Sequence, residues 1–330
     1  MKRHGRNLSY ENLNESMLVS VCIPCYNSGQ YLAETLNCLI NQTYQNLEII
    51  IIDDHSTDQS VKIIQAFVQK DRRINFEIAK NKGAAAARNQ AYSLSKGRYI
   101  IFFDADDFIE ENFIATQLKC LQSDQEVVVS TWGRFYHNDL STIVIDSSQM
   151  EMDLTFEDWI SNYWGNSSNM TCPGRVLIAR NLLEKSGLWD EELSLNDDFP
   201  FYTRIFSNSS LIRYNTNSLF YYRSGINGLS ALKSESGYNS LYLSLMKGIK
   251  VAEEKFPNNK KIQLACANLL QNFIYEIYPS QPKLRANALT KIKTLGGSDF
   301  EFPAGGKTKS LAAVIGWKLA KRLKIIFNKP

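Results

Sequence analysis

The sequence predicts an α/β fold with a mostly parallel sheet flanked by helices and a helical region toward the C-terminal end. Three observations predict it. The runs Leu47–Ile52 and Tyr99–Phe103 have the length and the β-branched or aromatic content of strands buried on both faces. Such runs alternate with helix-period patterns over about the first hundred residues, the order that gives parallel strands joined by right-handed crossovers. Each run ends in an acidic cluster, Asp53-Asp54-His55-Ser56-Thr57-Asp58 in one case and Asp104-Ala105-Asp106-Asp107 in the other. Open α/β sheets bind ligands beyond the carboxyl ends of their strands. Asp often ends a strand as a turn residue, which accounts for one carboxylate but poorly for clusters. Two clusters at two strand ends point to one shared site suited to a hard divalent cation.

Taken in order, Val19–Pro24 is the first strand and Tyr31–Ile40 a helix with Leu32, Leu36, Leu39 and Ile40 on one face. Leu47–Ile52 is the second strand, followed by a helix from about Ser60 that turns Val61, Ile64 and Val68 inward. Ile74–Ile78 is a shorter third strand, Ala84–Ser95 an alanine-rich helix and Tyr99–Phe103 the fourth strand. A helix over Asn112–Gln122 and a strand over Val127–Trp132 extend the sheet. Beyond Gly133 the alternation is irregular: Arg175–Ile178 and Leu219–Arg223 read as strands, Asn181–Ser186 and Pro200–Phe206 as helices. From Tyr238 to Leu295 the pattern is helical. Leu241, Leu245, Ile249 and Ala252 mark one helix, and Leu264, Leu269, Phe273 and Ile277 a second that Pro279 ends. The expected organisation is a flexible tail over 1–16, an α/β domain over 17–228 with halves 17–132 and 133–228, a helical appendage over 229–300 and a basic helix within 301–330.

That last segment has a character of its own. After Glu301, the last acidic residue, come Lys307, Lys309, Lys318, Lys321, Arg322, Lys324 and Lys329. Between Ser310 and Phe327 the residues Leu311, Val314, Ile315, Leu319, Leu323 and Ile326 share one helical face, flanked by Trp317 and Phe327. A basic amphipathic helix bearing aromatics suits the surface of an anionic bilayer. Lys318 to Lys324 interrupt the run too often for a span. The other arrangement is a helix packed back on the protein with a solvated basic face.

Composition excludes little beyond this. An apolar fraction of 44% and a charged fraction of 22% are ordinary for a globular chain, and a net charge of +3 gives no bulk reason to expect nucleic acid as a partner. Met1-Lys2-Arg3-His4-Gly5-Arg6 is basic but no apolar core follows, so no secretory leader is expected and the protein is expected in the cytoplasm. Six cysteines lie within apolar patterns, as buried reduced thiols do. Cys22 and Cys25 have the spacing of a redox pair or half a zinc site, but no second pair accompanies them.

Five motifs occur in order: Val19-Ser20-Val21-Cys22-Ile23-Pro24-Cys25-Tyr26-Asn27; Gln42-Thr43; Asp53-Asp54-x-Ser56-x-Asp58-x-Ser60; Asn81-x-Gly83-x4-Arg88-Asn89; and Asp104-x-Asp106-Asp107. Together they resemble the family 2 inverting glycosyltransferases of GT-A fold, over about residues 17–225. The resemblance implies a nucleotide-sugar donor and a manganese or magnesium ion. It makes Asp54 the reader of the base, and Pro24, Tyr26 and Asn27 the lining of the nucleotide pocket, with loop capping the other explanation for Tyr26 and Asn27. Asp106 matches the metal-binding Asp, and Asp104 would stand beside the ribose or a metal-bound water. Gly83 and Pro24 matter through backbone shape, and Arg88 reaches donor phosphate or forms an ion pair on the helix surface. Gly187-Leu188-Trp189-Asp190-Glu191, then Asn196-Asp197-Asp198 and Arg204, is similar to the acceptor-side motif of the family, with Asp197 where Glu is commoner. Asp198 is then the general base, supported by Asp197, with Trp189 and Arg204 on the acceptor side. As structural alternatives, the Asp pair caps a helix starting near Pro200 and Trp164 and Trp189 are core residues. The implied acceptor is a glycan or lipid-linked hydroxyl at the inner face of the cell membrane.

Two other readings compete. A nucleotidyltransferase would carry a Gly-rich basic loop after strand one, where this chain has Pro24-Cys25-Tyr26-Asn27-Ser28-Gly29. A non-catalytic membrane-docking or assembly subunit on a degenerate transferase scaffold would not need Asp54, Asp106 and Asp198 together. A dinucleotide-dependent oxidoreductase fails for want of Gly-x-Gly-x-x-Gly.

Overall fold

The computed structural model describes residues 17–146, 151–168, 171–225 and 234–327, so the tail expected over 1–16 lies outside the described residues. The first half follows the alternation in the sequence: β1 (Val19–Cys25), α1 (Leu32–Ile40), β2 (Leu47–Asp53), α2 (Ser60–Lys70), β3 (Ile74–Ile78), α3 (Ala84–Leu94) and β4 (Tyr99–Phe102). Then come β5 (Phe108–Ile109), α4 (Phe113–Cys120) and the hairpin of β6 (Glu126–Tyr136) and β7 (Asp139–Ile145). A short helix α5 (Phe156–Trp159) continues as a wider π-type turn over Ile160–Trp164 and precedes β8 (Val176–Ala179), α6 (Arg180–Ser186), α7 (Asp198–Asn208) and β9 (Leu211–Arg223). The chain ends in α8 (Glu235–Lys255), α9 (Lys260–Ile277), α10 (Pro282–Thr294), α11 (Gly306–Ile315) and α12 (Trp317–Phe327).

Among the described residues the strands form one sheet in the order β3-β2-β1-β4-β8-β6-β9-β5, with β7 on β6. The first four are parallel, Cys25 opposite Asp53 and Cys22 opposite Phe102, so the carboxyl ends of β2 and β4 flank that of β1. The two acidic clusters therefore share one edge. β8 is antiparallel to both β4 and β6, while β6 and β9 run parallel. Burial of β1, β2 and β4 on both faces is the reason their sequences read as continuous apolar runs.

The chain divides into two compact units that cut across the linear division at 132/133 and 228/229. One takes in the chain to Asp153 with Thr171–Glu191 and Asn208–Ile226, and contains the sheet; the other takes in Leu154–Met170, Glu192–Ser207 and Asn227–Pro330. The reason is aromatic packing within the second unit. Trp159 stacks on Tyr163 at 4.2 Å and meets Phe206 at 4.6 Å, and Trp164 meets Phe199 at 5.0 Å. Segments 154–168 and 192–207 thus pack large aromatic side chains against one another.

Other corrections are local. Val68 is on the outer face of α2 and Phe67 takes the inward position; Leu264 is likewise exposed on α9. β9 begins at Leu211, eight residues before the expected Leu219. The single helix expected over Ser310–Phe327 is two, broken at Gly316, whose φ of +79° belongs to the left-handed region. α12 docks on the end of α9: Ala320 is buried, Trp317 packs on Tyr275, Tyr278 and Phe302, and Lys321 Nζ donates to the Tyr275 and Glu276 carbonyls. A cation there satisfies the carboxyl-terminal carbonyls of α9. All six cysteines are free, and burial pushes the Cys25 thiol up to about 12 and that of Cys22 further, the opposite of what a redox or zinc pair needs.

Candidate active site

The loops after β1 and β2 are stapled together by the second motif cluster. Asp53 accepts from Ser56 N at 2.9 Å, and Ser56 Oγ accepts from Asn27 N at 2.9 Å. Asn27, itself in the left-handed region at φ 48°, accepts from Thr57 N at 2.8 Å. Asp58 accepts from Gly29 N and Ser60 N, both at 2.9 Å, and Ser60 Oγ accepts from Ser28 N at 2.9 Å. Burial works against the Asp58 charge, but the bonds from Ser60 and Gly29 outweigh it and hold the carboxyl below its usual range. Asn27 is thus a capping residue here, while Tyr26 projects with 60% of its surface exposed and Pro24 lies half-buried within β1, opposite Ile52.

Asp54 stands apart from this scaffold. Gly83 N donates to its Oδ2 at 2.8 Å, while Oδ1 is buried without a hydrogen-bond partner. Gly83 adopts φ 111° at the start of α3, so its contribution is backbone shape, and nothing crowds the space where a Cβ would be.

At the end of β4 the loop Asp104–Asp107 is fixed through its carbonyls. Thr35 Oγ1, from α1, donates to Ala105 O at 3.1 Å and Asp107 O at 2.9 Å. Arg223 Nε, from the end of β9, donates to Asp106 O at 2.6 Å, and the Arg223 backbone N–H to Asp107 Oδ1 at 2.9 Å. Arg223 is held in turn by Glu34 at 3.0 Å and lies between the rings of Tyr31 and Phe135. Gln42, of the Gln42-Thr43 motif, supports the same region by donating to Glu110 O and accepting from Ile114 N. Neither Thr35 nor Arg223 is marked by the sequence, because each works through backbone atoms far away along the chain.

Burial, with the neighbouring Asp104 charge, raises the Asp106 carboxyl to about 6; burial, with Asp106 and Asp104, pushes Asp107 well up. Like charge gathered in this way fits a cation. Arg88 supplies one already: its Nη2 pairs with Asp104 Oδ1 at 2.8 Å and its guanidinium lies 4.3 Å from the Trp189 ring. Arg88 is buried, so the alternative of an ion pair on the helix surface is replaced by a buried one. Trp189 is also buried, edge-on to Phe102 at 5.3 Å, as the core alternative expects. Asn89 fixes that arrangement, accepting from Trp189 N and donating to Trp189 O, both at 3.0 Å.

Asp197, Asp198 and Arg204 belong to the other unit. α7 starts at Asp198, two residues before the expected Pro200, and Asp198 Oδ1 accepts from Phe199 N at 2.9 Å. Both carboxylates are half-buried. Arg204 donates to Pro200 O at 3.3 Å and lies 5.9 Å from the Phe201 ring.

The sequence model described as Glycosyl transferase family 2 matches residues 20–187, half of the chain, including Asp54, Asp104 and Asp106. The chain belongs to glycosyltransferase family 2. It is 34% identical over 220 residues to the glycosyltransferase GlyG of Streptococcus pneumoniae, covering 62% of this chain and 72% of that protein. Among solved structures it resembles S. aureus TarS 1-349 in complex with UDP-GlcNAc, with a TM-score of 0.66 at 20% identity over 84% of this chain and 82% of TarS. It also resembles a mannosyltransferase from Pyrobaculum calidifontis in complex with GDP-Man and Mn2+, with a TM-score of 0.52 at 15% identity over 96% of this chain and 88% of that one. This family 2 glycosyltransferase thus has the GT-A fold expected from its motifs.

Proposed function

We propose that this enzyme is an inverting, metal-dependent glycosyltransferase that moves one sugar from a nucleotide-sugar donor to an acceptor hydroxyl, in the assembly of a cell-surface polysaccharide or glycolipid. The observation that carries the donor reading is Asp54: one oxygen is fixed by Gly83 and the other is a buried acceptor without a partner. A buried unsatisfied acceptor is costly unless a ligand completes it, and the N–H edge of uracil or guanine is such a ligand. Nucleotide sugars of both bases, UDP-GlcNAc and GDP-Man, accompany the structural neighbours.

Asp106, with Asp104 beside it, would hold a manganese or magnesium ion. Donor phosphate oxygens would complete the coordination of that ion. When bound it supplies Lewis-acid stabilisation of the charge on the departing nucleoside diphosphate. Arg88 keeps Asp104 oriented, and Thr35 and Arg223 keep the loop from yielding to its own charge repulsion. Asp198 takes the acceptor hydroxyl proton as that oxygen bonds to the anomeric carbon and the bond from that carbon to the diphosphate oxygen breaks, with inversion. Purified protein tested with manganese against UDP-GlcNAc, GDP-mannose and related nucleotide sugars should release nucleoside diphosphate from at least one. Folded protein inert to all of them would favour an assembly subunit.

The C-terminal helices give this enzyme a place to work. Val314 is 83% and Phe327 79% exposed, with Leu319 and Ile326 also open to solvent among Lys309, Lys318, Arg322 and Lys324. Apolar side chains interleaved with cations suit an anionic bilayer surface. The proposed location is peripheral, on the cytoplasmic face of the cell membrane, near a lipid-linked or glycan acceptor; no helix among the described residues is long and apolar enough to cross it. Changing Leu319, Ile326 and Phe327 to Glu leaves the docked Trp317 and Ala320 in place, so flotation with anionic liposomes should fail while the melting temperature holds. Unchanged flotation would remove the membrane from this picture.

A further inference from the structure

Asp197 and Asp198 are delivered by the segment Ser194–Asn196, and α8 holds that segment with two serines. Ser240 Oγ accepts from Ser194 N at 3.0 Å and Leu195 N at 2.9 Å and donates to Leu195 O at 2.9 Å. One turn on, Ser244 Oγ accepts from Asn196 Nδ2 at 2.6 Å and donates to Asn196 O at 2.7 Å. Asn196 has φ 60°, a left-handed conformation immediately before the Asp pair, and Ser244 fixes both its amide and its carbonyl. A further turn along, a Cβ on Gly248 would collide with the ring of Phe199, the residue after Asp198. Glycine is a poor choice in a helix interior, and close approach is what the position gains from it.

The spacing of four puts Ser240, Ser244 and Gly248 on one face of α8, and all three are buried. Their contacts bracket Asp197–Asp198 on both sides: Ser194 to Asn196 before it, Phe199 after it. We propose that this face of α8 is a positioning element for sugar transfer, with Ser240 and Ser244 as positioning residues that set the place of the Asp pair. The inference rests on the reading of Asp198 as the base. It gives the helical region a part in the chemical step as well as in stability.

The test is the Ser240→Ala, Ser244→Ala double variant, alone and combined with Asp198→Asn. The readouts are manganese-dependent turnover of whichever of UDP-GlcNAc and GDP-mannose the unaltered enzyme consumes, and binding of the matching nucleoside diphosphate, UDP or GDP, by calorimetry. A displacement of about 1 Å in a reacting group can cost roughly a hundredfold in rate. The double variant should therefore lose about ten- to a hundredfold in kcat, with donor KM and nucleoside diphosphate affinity unchanged. In the Asp198→Asn background the serine changes should add less than about threefold. A kcat at the unaltered level with Asp198→Asn slow would overturn the inference and leave the base reading standing. A full additive loss in that background, or a loss confined to KM, would also overturn it. Asp198→Asn at the unaltered rate would remove the base reading and the inference with it. Should the double variant not fold, Ser244→Ala alone carries the same split.

Discussion

Thr35→Val is the sharpest available probe of the carboxylate loop. It exchanges one hydroxyl for a methyl at a fully buried position on α1, with almost no change of shape. The hydroxyl is donated to Ala105 O and Asp107 O, and both of those residues are buried. Removing it costs those carbonyls a donor they cannot replace with water, about 1–3 kcal/mol for a buried unsatisfied group. At about 2–4 °C per kcal/mol for a unit of this size, the melting temperature should fall by about 4–8 °C near the middle of that range. If about 1.4 kcal/mol of the cost is recovered only when the loop is in its binding geometry, nucleoside diphosphate affinity measured with manganese should fall about tenfold. Scanning fluorimetry gives the first number and calorimetry the second. Thr35→Ser keeps the donor and loses only a methyl, so it should stay close to the unaltered enzyme in nucleoside diphosphate affinity. A Val variant with unaltered melting and affinity would refute the reasoning. So would a Ser variant as impaired as Val, because packing and not the hydrogen bond would then be the cause.

Three further outcomes are expected. Asp106→Ala and Asp104→Ala should abolish manganese-dependent nucleoside diphosphate binding in calorimetry while far-ultraviolet circular dichroism stays native; manganese-dependent binding that persists unchanged would move the metal elsewhere. Asp198→Asn should bind the donor nearly normally but turn over roughly 10²–10⁴-fold more slowly, since an amide cannot take the proton; near-normal turnover would make Asp197 the next candidate. Asp58, held below its ordinary range by Ser60 and Gly29, contributes stability that is complete above its unfolded value near 3.8 and lost as pH falls through the lower folded value. Melting temperatures between pH 6 and pH 2 should therefore fall more steeply for the unaltered protein than for Asp58→Asn, and parallel curves would assign the acid sensitivity to other groups.

The parallel half of the sheet was legible because β1, β2 and β4 are buried on both faces and leave apolar runs in the sequence. β9 shows where that signal fails. Its first half, Leu211–Ser218, is polar enough to read as a loop, yet Asn215 is fully buried there and donates to Thr116, Ser130 and Ser218. A polar core residue satisfied by partners from three elements has no local pattern to recognise. The Val68 error is one of helix phase, since Phe67 and Val68 are equally apolar and only tertiary packing chooses between them. The motif residues themselves were easier to see than to sort. Ser56, Asp58 and Ser60 hold the loops, while Asp54, like Asp53 and Asp107, keeps a buried oxygen without a hydrogen-bond partner. Thr35 stayed hidden because its partners are carbonyls, which every residue possesses, and Arg223 because its partners Asp106, Asp107 and Glu34 lie more than a hundred residues away along the chain.

The carbonyls of the carboxylate loop are fixed from two directions, by α1 near the start of the chain and by the last residue of β9. This has a temporal consequence during synthesis. β1 through β4 can emerge, pair and bring both acidic clusters to one edge while β9 is still untranslated. Until Arg223 leaves the ribosome, the Asp106 carbonyl lacks its guanidinium and the buried Asp107 lacks the backbone N–H that binds its carboxylate. A nascent chain stalled before β9 would carry both acidic clusters and the Thr35 contacts but still lack the Arg223 contacts to the carboxylate loop.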